Sequence, residues 1–423
     1  MTFDTIAVVG LGYIGLPTAA VLASRKRMVI GIDVNAHTVE TINRGEVHII
    51  EPDLDMLVHA AVTEGYLRAT TVPEPADAFL IAVPTPFKIN HEPDLSFIES
   101  ASKAIAPVLK SGDLVILEST SPVGATERMA AWLAQARPDL SFPQTAGGLS
   151  DIRIAHCPER VLPGRVLSEL VHNDRVIGGM SPRCSEVAAS LYKIFVKGEC
   201  VITDARTAEM CKLTENSFRD VNIAFANELS IICDKLQVDV WELIRLANRH
   251  PRVDILQPGP GVGGHCIAVD PWFIISQVPM QSRLIRTARE VNDSKPAWVV
   301  NKVKAMVEQL SGSNNAAGNS IKIACIGLTF KADIDDFRES PALAITLELA
   351  RFYPSQVVAV EPNIKLAPPE LIEANIPLVE LVDAIEAEVV VLLVDHKNIQ
   401  LSSFEFRAEQ RVLDTRGILA LKN

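Results

Sequence analysis

The chain is poor in aromatics, 5% of its 423 residues, and its seven cysteines form no C-x-x-C pair. An odd number of cysteines at irregular spacing argues against both a disulfide framework and a zinc ribbon, and a reducing compartment is expected. No uninterrupted apolar run approaches the roughly 20 residues that cross a bilayer. The opening MTFDTIAVVG carries no charged n-region or cleavage site, so no leader is expected and the cytoplasm is the assigned location. Positive charge is also scarce: 40 Lys and Arg stand against 52 Asp and Glu, a net charge of −12. That balance excludes a general binder of nucleic acid or anionic membrane, although a few local cations can still hold one phosphate group. No low-complexity tract or metal-ligand cluster is present. With 48% hydrophobic and 22% charged residues the chain can bury a sizeable core, and its length allows two or three domains.

Short β-branched runs alternate with helical periodicity in the first half. Strands are expected at Thr5–Val9, Met28–Asp33, Ala78–Val83, Leu114–Glu118 and Ile152–His156, in a parallel doubly wound α/β sheet. From Asp204 to about Leu236 no Gly or Pro occurs, and Asp204 is a good N-cap, so one long helix is expected. More helix follows at Val240–Asn248 and Arg283–Gln309. SGSNNAAGNS, Ser311–Ser320, reads as a linker. Strands resume at Ile321–Ile326, Val357–Val360, Val389–Val394 and Arg411–Asp414, and the two ends look like weak copies of one nucleotide-binding plan. The expected division is a Rossmann-like domain at 1–200, a helical central domain at 201–310 carrying a glycine-rich loop, the linker 311–320, and a second Rossmann-like domain at 321–423.

Three motifs carry chemistry. In VVGLGYIG, Gly10, Gly12 and Gly15 form G-x-G-x-x-G between a strand and a helix, which suits a dinucleotide pyrophosphate. Asp33 ends the next strand, where a carboxylate accepts from a ribose hydroxyl and repels a 2′-phosphate, so NAD is expected as the cofactor. In PGPGVGGHCIAVD, Pro258–Asp270, one cysteine, Cys266, sits among glycines whose backbone N–H groups can hold an oxyanion, and a thiolate there is a competent nucleophile toward an aldehyde. Lys212, Asn216 and Arg219 recur at helical spacing and form a polar stripe. STSPVG (Ser119–Gly124), VPTP (Val83–Pro86) and CPER (Cys157–Arg160) follow strand ends, and LTFK (Leu328–Lys331) with Arg338 opens the last β-α unit. That unit lacks the second and third glycines, so it is expected to take a nucleotide other than a second NAD.

The order of these motifs resembles the UDP-glucose/GDP-mannose dehydrogenase family from the first strand to about His396. NRHPRVDILQPGPGVGGHCIAVDP is similar to the branch that oxidises UDP-N-acetylhexosamines. Val269 stands before Asp270 where the UDP-glucose branch typically has Lys. The resemblance implies a four-electron oxidation of the sugar C6 alcohol to a carboxylate with two NAD per turnover. UDP-N-acetyl-D-mannosamine is placed first as substrate, with the gluco and galacto epimers as alternatives. It implies a homodimer and a role in bacterial surface-polysaccharide synthesis of the enterobacterial common antigen type. By the same resemblance Cys266 captures the aldehyde, Lys212 is acid/base and oxyanion partner, and Asn216 orients the C6 oxygen. Asp270 and Thr120 position water and Glu159 assists as a base. Tyr13, Ile14, Asp33, Thr85, Thr126 and Arg338 join the glycines at NAD. Arg160, Val161, Arg219, His250, Arg252, Gly263, Phe330 and Lys331 join Lys212 and Asn216 at the UDP-sugar. Two further readings stay open: a two-electron hydroxyacid dehydrogenase, which would survive loss of Cys266, and a non-enzymatic NAD-binding regulator.

Overall fold

The computed structural model describes residues 3–420 apart from 89, 163, 265, 314–320 and 401–405. The chain divides into two compact units, Met1–Glu215 and Asn216–Asn423.

In the first unit the strands are β1 Thr5–Val9, β2 Met28–Ile32, β3 Leu67–Thr70, β4 Ala78–Ile81, β5 Leu114–Leu117, β6 Arg153–His156, β7 Arg175–Gly179 and β8 Cys200–Asp204, in the spatial order β3-β2-β1-β4-β5-β6-β7-β8. β4 and β5 are buried along their whole length, and β1 in all but its first residue. Such strands read as continuous aliphatic runs because both faces of the sheet are covered. Val8, Leu16 and Leu22 belong to the core on one face, and Val9, Ile81 and Leu117 to the core on the other. The chain runs from β1 outward to β2 and β3, then returns to β4 on the far side of β1. This reversal opens a crevice beyond the C-terminal ends of β1 and β4, where ligands of doubly wound sheets bind.

Three strands were not expected from the sequence: β3, β7 and β8. β7 also departs from the all-parallel expectation, pairing antiparallel with β6 through Ala155 with Gly179 and His156 with Gly178. Gly178 and Gly179 let backbone approach closely here. A Cβ on Gly178 would lie 2.3 Å from the Asp204 carbonyl, and one on Gly179 would lie 2.3 Å from the Ser185 nitrogen.

The long helix Ala205–Leu236 has 32 residues, about 48 Å at 1.5 Å per residue. Asp204 caps it as expected, its carboxylate accepting from the Thr207 N–H at 2.9 Å and the Thr207 hydroxyl at 2.6 Å. In the second unit follow the helices Val240–Ala247, Asp270–Gln277 and Arg283–Ser313. The last overruns the expected linker. Ser311 Oγ donates to the Val307 carbonyl at 2.9 Å, a bond that keeps a small polar residue compatible with the last turns. The rest of the linker, 314–320, lies outside the described residues.

The second sheet holds β9 Ile323–Ile326, β10 Val357–Val360, β11 Val389–Leu392 and β12 Arg411–Asp414, all parallel in the order β10-β9-β11-β12. Both sheets start in the same way. Gly10 N–H donates to the Ile32 carbonyl at 2.8 Å, and Gly327 N–H donates to the Val360 carbonyl at 2.8 Å. Both glycines have left-handed backbone, φ +88° and +84°. The residue after each donates to the carboxylate that ends the second strand: Leu11 to Asp33 Oδ2 at 2.9 Å, Leu328 to Glu361 Oε2 at 2.9 Å.

Candidate active site

In the first unit the crevice is floored by the glycine turn. A Cβ on Gly10 would lie 2.6 Å from the Ala82 carbonyl oxygen, and one on Gly15 would lie 1.8 Å from the Gly10 oxygen. Both positions therefore demand glycine for close packing. Gly12 differs: nothing lies within 4 Å of where its Cβ would be. That open space beside the N-terminus of the helix Gly15–Ser24 suits a pyrophosphate. Asp33 accepts from the N–H groups of Leu11 and Asn35, each at 2.9 Å. Two donors leave capacity on a carboxylate for a ribose diol. Thr85 Oγ1, in the segment after β4, is buried with no hydrogen-bond partner among the described residues, a polar atom that a ligand can satisfy. The residues present thus fit a dinucleotide. Tyr13 is 44% exposed, and Ile14 stands at the N-cap position of that helix without a side-chain cap.

Thr126 sits differently. The buried carboxylate of Glu209, from the first turns of the long helix, accepts from Thr126 Oγ1 at 2.6 Å, Thr126 N at 2.7 Å and Gly124 N at 2.6 Å. The amides that open the helix Ala125–Ala136 are thereby held by protein. Thr120 follows β5 and is half-buried.

Glu159 is buried. Its Oε2 accepts from Arg175 at 2.8 Å, and its Oε1 from the Arg160 N–H at 2.6 Å. Arg175 is 2% exposed and lies over the Tyr192 ring. Tyr192 donates to Glu118 Oε1 at 2.6 Å. Burial, reinforced by the charge of Glu159, pushes the Glu118 carboxyl up to about 7. The Arg160 guanidinium meets Glu215 at 2.6 Å. Val161 and Lys212 are half-buried.

In the second unit Cys266 is exposed. By contrast, burial pushes the thiols of Cys157 and Cys325 up to about 12, which makes them inert. The Cys266 carbonyl accepts from the backbone N–H of Val269 at 3.1 Å and of Asp270 at 2.9 Å, a turn that leads directly into the helix Asp270–Gln277. Asp270 is buried, and Asn216 Nδ2 donates to its Oδ2 at 2.5 Å. Cysteine, aspartate and asparagine are therefore tied together.

The glycines of the loop answer a steric demand. A Cβ on Gly263 would lie 2.3 Å from the Glu339 carbonyl and 2.9 Å from Phe330 Cβ, and one on Gly264 would lie 2.8 Å from the Phe330 ring. The cysteine loop and the LTFK segment are in contact, which brings Gly263, Phe330 and Lys331 to one place. Buried Asn227 accepts from the Gly259 N–H at 2.8 Å and donates to Asn292 at 2.8 Å, fastening the start of the loop. Arg219, His250 and Arg252 are exposed, with His250 Nδ1 accepting from the Arg252 N–H at 3.4 Å. Arg338 pairs with Asp336 at 2.6 Å.

Three family profiles match in order: the NAD binding domain of the UDP-glucose/GDP-mannose dehydrogenase family over residues 4–196, its central domain over 206–294 and its UDP binding domain over 324–421. The chain belongs to the UDP-glucose/GDP-mannose dehydrogenase family. It is 64% identical over 419 residues to the UDP-N-acetyl-D-mannosamine dehydrogenase of Yersinia pestis, covering 99% of this chain and 100% of that protein. It is 63% identical over 424 residues to an NDP-N-acetyl-D-galactosaminuronic acid dehydrogenase of Ralstonia nicotianae, covering 99% and 97%. Among solved structures, the UDP-D-ManNAc dehydrogenase of Pyrococcus horikoshii superposes with a TM-score of 0.86 at 39% identity over 98% of this chain and 96% of that one. The protein is an NAD-dependent oxidoreductase, as members of this dehydrogenase family are.

Sequence reasoning missed Arg175, Glu209, Asn227 and the Glu361–His396 pair. The first had a signal. An arginine inside the apolar run RVIGG must be paired once the run becomes a strand. The others meet their partners from 32 to 85 residues away, and no local pattern marks them.

Proposed function

We propose that the protein oxidises C6 of UDP-N-acetyl-D-mannosamine from alcohol to carboxylate, through a covalent intermediate on Cys266. The observation that carries the mechanism is the single exposed thiol in a glycine loop whose turn is fastened to the buried Asn216–Asp270 pair. NAD, when bound at Gly10, Gly12, Gly15, Asp33 and Thr85, supplies the hydride acceptor for each of the two oxidations. The first oxidation removes a hydride and a proton from the C6 alcohol. The Cys266 thiolate then adds to the aldehyde carbon, giving a thiohemiacetal that cannot diffuse away. The second oxidation leaves a thioester. Water attacks it, the C–S bond breaks, and the carboxylate and the free thiol are released. Lys212 stabilises the oxyanion in both oxidations, Asn216 orients the C6 oxygen, and Asp270 with Thr120 positions water. Glu159, ion-paired with Arg175, serves better as a fixed charge than as a mobile base.

The sugar assignment follows the relatives from Yersinia pestis and Pyrococcus horikoshii. The Ralstonia relative, at nearly equal identity, favours a second reading with the galacto configuration. NADH release across a panel of UDP-N-acetylhexosamines decides between them. The manno substrate should give two NADH per sugar with no free aldehyde. Cys266→Ala should bind both ligands and yield no uronic acid, and two NADH per sugar from that variant at near-normal rate would refute the thioester route.

The domain division proposed is a nucleotide-binding domain at 1–200, a helical central domain that runs on through Ser313, and a C-terminal nucleotide-binding domain from 321. A homodimer is proposed along the long helix, where Phe218, Phe225 and Ile232 recur every seven residues at 67%, 50% and 45% exposure. Phe225→Glu should yield monomers by light scattering. No helix among the described residues is long and apolar enough to cross a membrane, and the cytoplasm is the proposed location.

A further inference from the structure

In the second unit the carboxylate that ends β10 has no capacity left for a ligand. Glu361, 4% exposed, accepts at Oε2 from the N–H groups of Leu328 at 2.9 Å and Thr329 at 3.2 Å. Its Oε1 accepts from Asn363 N at 3.1 Å and Asn363 Nδ2 at 3.3 Å. A fifth contact comes from His396, which follows β11 and is 1% exposed: its Nε2 lies 3.1 Å from Glu361 Oε2.

The surroundings of His396 fix its proton. Two donors converge on Nδ1, the Asp333 N–H at 3.0 Å and the Asn363 amide at 2.7 Å. The Asn363 amide is oriented by its contact with Glu361, since its oxygen would be repelled there. Nδ1 must therefore be the acceptor, and the ring proton sits on Nε2, donating to Glu361. Next along the chain, Lys397 N–H donates to Asp333 Oδ1 at 2.9 Å. Asp333 itself has left-handed backbone, φ +62°, a conformation a non-glycine residue keeps only where neighbours impose it. The segment Leu328–Asp333 is thus fastened at its start by Glu361 and at its end by His396 and Lys397. Between the fastenings Lys331 is exposed and Phe330 packs on the cysteine loop.

We propose that His396, as the neutral ring protonated at Nε2, is a positioning residue for UDP-sugar binding: it links Glu361 to Asp333 and so presents Phe330 and Lys331 to the uridine diphosphate. The proposal rests on the reading that this segment contacts UDP. His396 itself touches no substrate.

The test is UDP and NADH affinity, by calorimetry, for His396→Ala, His396→Gln and Lys331→Ala in the full chain. Glutamine carries an N–H donor and a carbonyl acceptor spaced much like the two ring nitrogens. Loss of the pair of bonds in His396→Ala should weaken UDP roughly tenfold and leave NADH unchanged, and His396→Gln should restore UDP affinity to within about threefold of the parent. Parent-like affinity in His396→Ala, or equal weakness in Ala and Gln, overturns the proposal. Lys331→Ala tests the underlying reading separately: unchanged UDP affinity there, with His396→Ala weakened, would move the UDP contact off Lys331 while leaving the His396 link in place. Nitrogen-15 NMR of histidine-labelled parent protein removes any dependence on folding of the variants. It should show His396 Nδ1 as the unprotonated nitrogen, and a proton on Nδ1 overturns the proposal.

Discussion

Asp33 and Glu361 occupy the same place in two copies of one plan. Each ends the second strand of its sheet, and each accepts from the N–H that follows the first glycine. They differ in what else they hold. Asp33 takes one more backbone donor, whereas Glu361 takes four more, His396 among them. The turns differ in length as well. The helix starts five residues after Gly10, at Gly15, but fourteen residues after Gly327, at Pro341. A short turn places a helix N-terminus and an accepting carboxylate beside a dinucleotide. A long turn needs internal fastening, and the same carboxylate is spent on it. One backbone plan thus yields an acid with acceptor capacity to spare in one copy and a fully occupied, structural acid in the other.

The sharpest way to break this comparison is at the helix start. In Gly15→Ala the new Cβ meets the Gly10 oxygen at 1.8 Å, so the turn must shift. NADH affinity should fall more than about a hundredfold, because overpacking costs about 1–3 kcal/mol and the shift also misplaces the phosphate-binding amides. UDP affinity should stay at the parent value. If both ligands weaken alike, the first turn does not serve NAD specifically.

A second large effect concerns acids of opposite sign. Glu118 is about half protonated at neutral pH because burial, then Glu159, raises it to about 7. A carboxyl raised on folding lends stability that is complete below its unfolded value near 4.5 and is lost as pH rises through about 7. Glu361 runs the other way. Burial raises it, but the His396 and backbone bonds outweigh burial and its net shift is downward, so its contribution is present above about 4.5 and lost in acid. Glu118→Gln mimics the neutral acid and should stabilise the protein at pH 8 relative to pH 5, by up to about 3 kcal/mol in denaturant titrations. A pH-independent difference between variant and parent would show that Glu118 stays ionised.

The sequence carried much of this and missed the rest for identifiable reasons. β1, β4 and β5 are buried on both faces, so their aliphatic runs stood out. β8 does not: Val201 and Ile202 are 43% and 51% exposed, and its run CVITD looks like loop. β7 is broken by two glycines that serve close packing. Gly10, Gly12, Gly15 and Asp33 were legible because a nucleotide turn is a local pattern. Cys266 was legible because its loop is rich in glycine. Glu209, committed to Thr126, and His396, committed to Asp333, act across long separations and belong to no short pattern.

A third prediction sharpens the cofactor side. Asp33→Asn keeps one acceptor for Leu11 but loses the charge. NAD should weaken roughly ten- to a hundredfold, the value of a hydrogen bond to a charged group. The preference over NADP should narrow, as steady-state kinetics with both cofactors would show. An unchanged preference would mean that Asp33 serves only the turn.

The smallest effect is expected at the middle position of the two turns. Gly12 leaves open space in the first copy, and Thr329 stands in its place in the second. Thr329 is 1% exposed, and its hydroxyl donates to the Lys331 carbonyl at 2.8 Å. The side chain therefore fills the room that a pyrophosphate would need and stiffens the segment instead. Thr329→Val keeps the shape, removes the donor and leaves the Lys331 carbonyl without it. A neutral hydrogen bond is worth about 0.5–1.5 kcal/mol, so UDP affinity should fall by roughly two- to tenfold. NADH affinity should not move, and neither should the effect of Gly15→Ala when the two changes are combined, since distant independent sites add. Calorimetry with each ligand on the single and double variants measures all of this. A Thr329→Val protein that binds UDP as the parent does would mean that the segment is held by Glu361 and His396 alone, and that filling the Gly12 position is a matter of volume, not of hydrogen bonding.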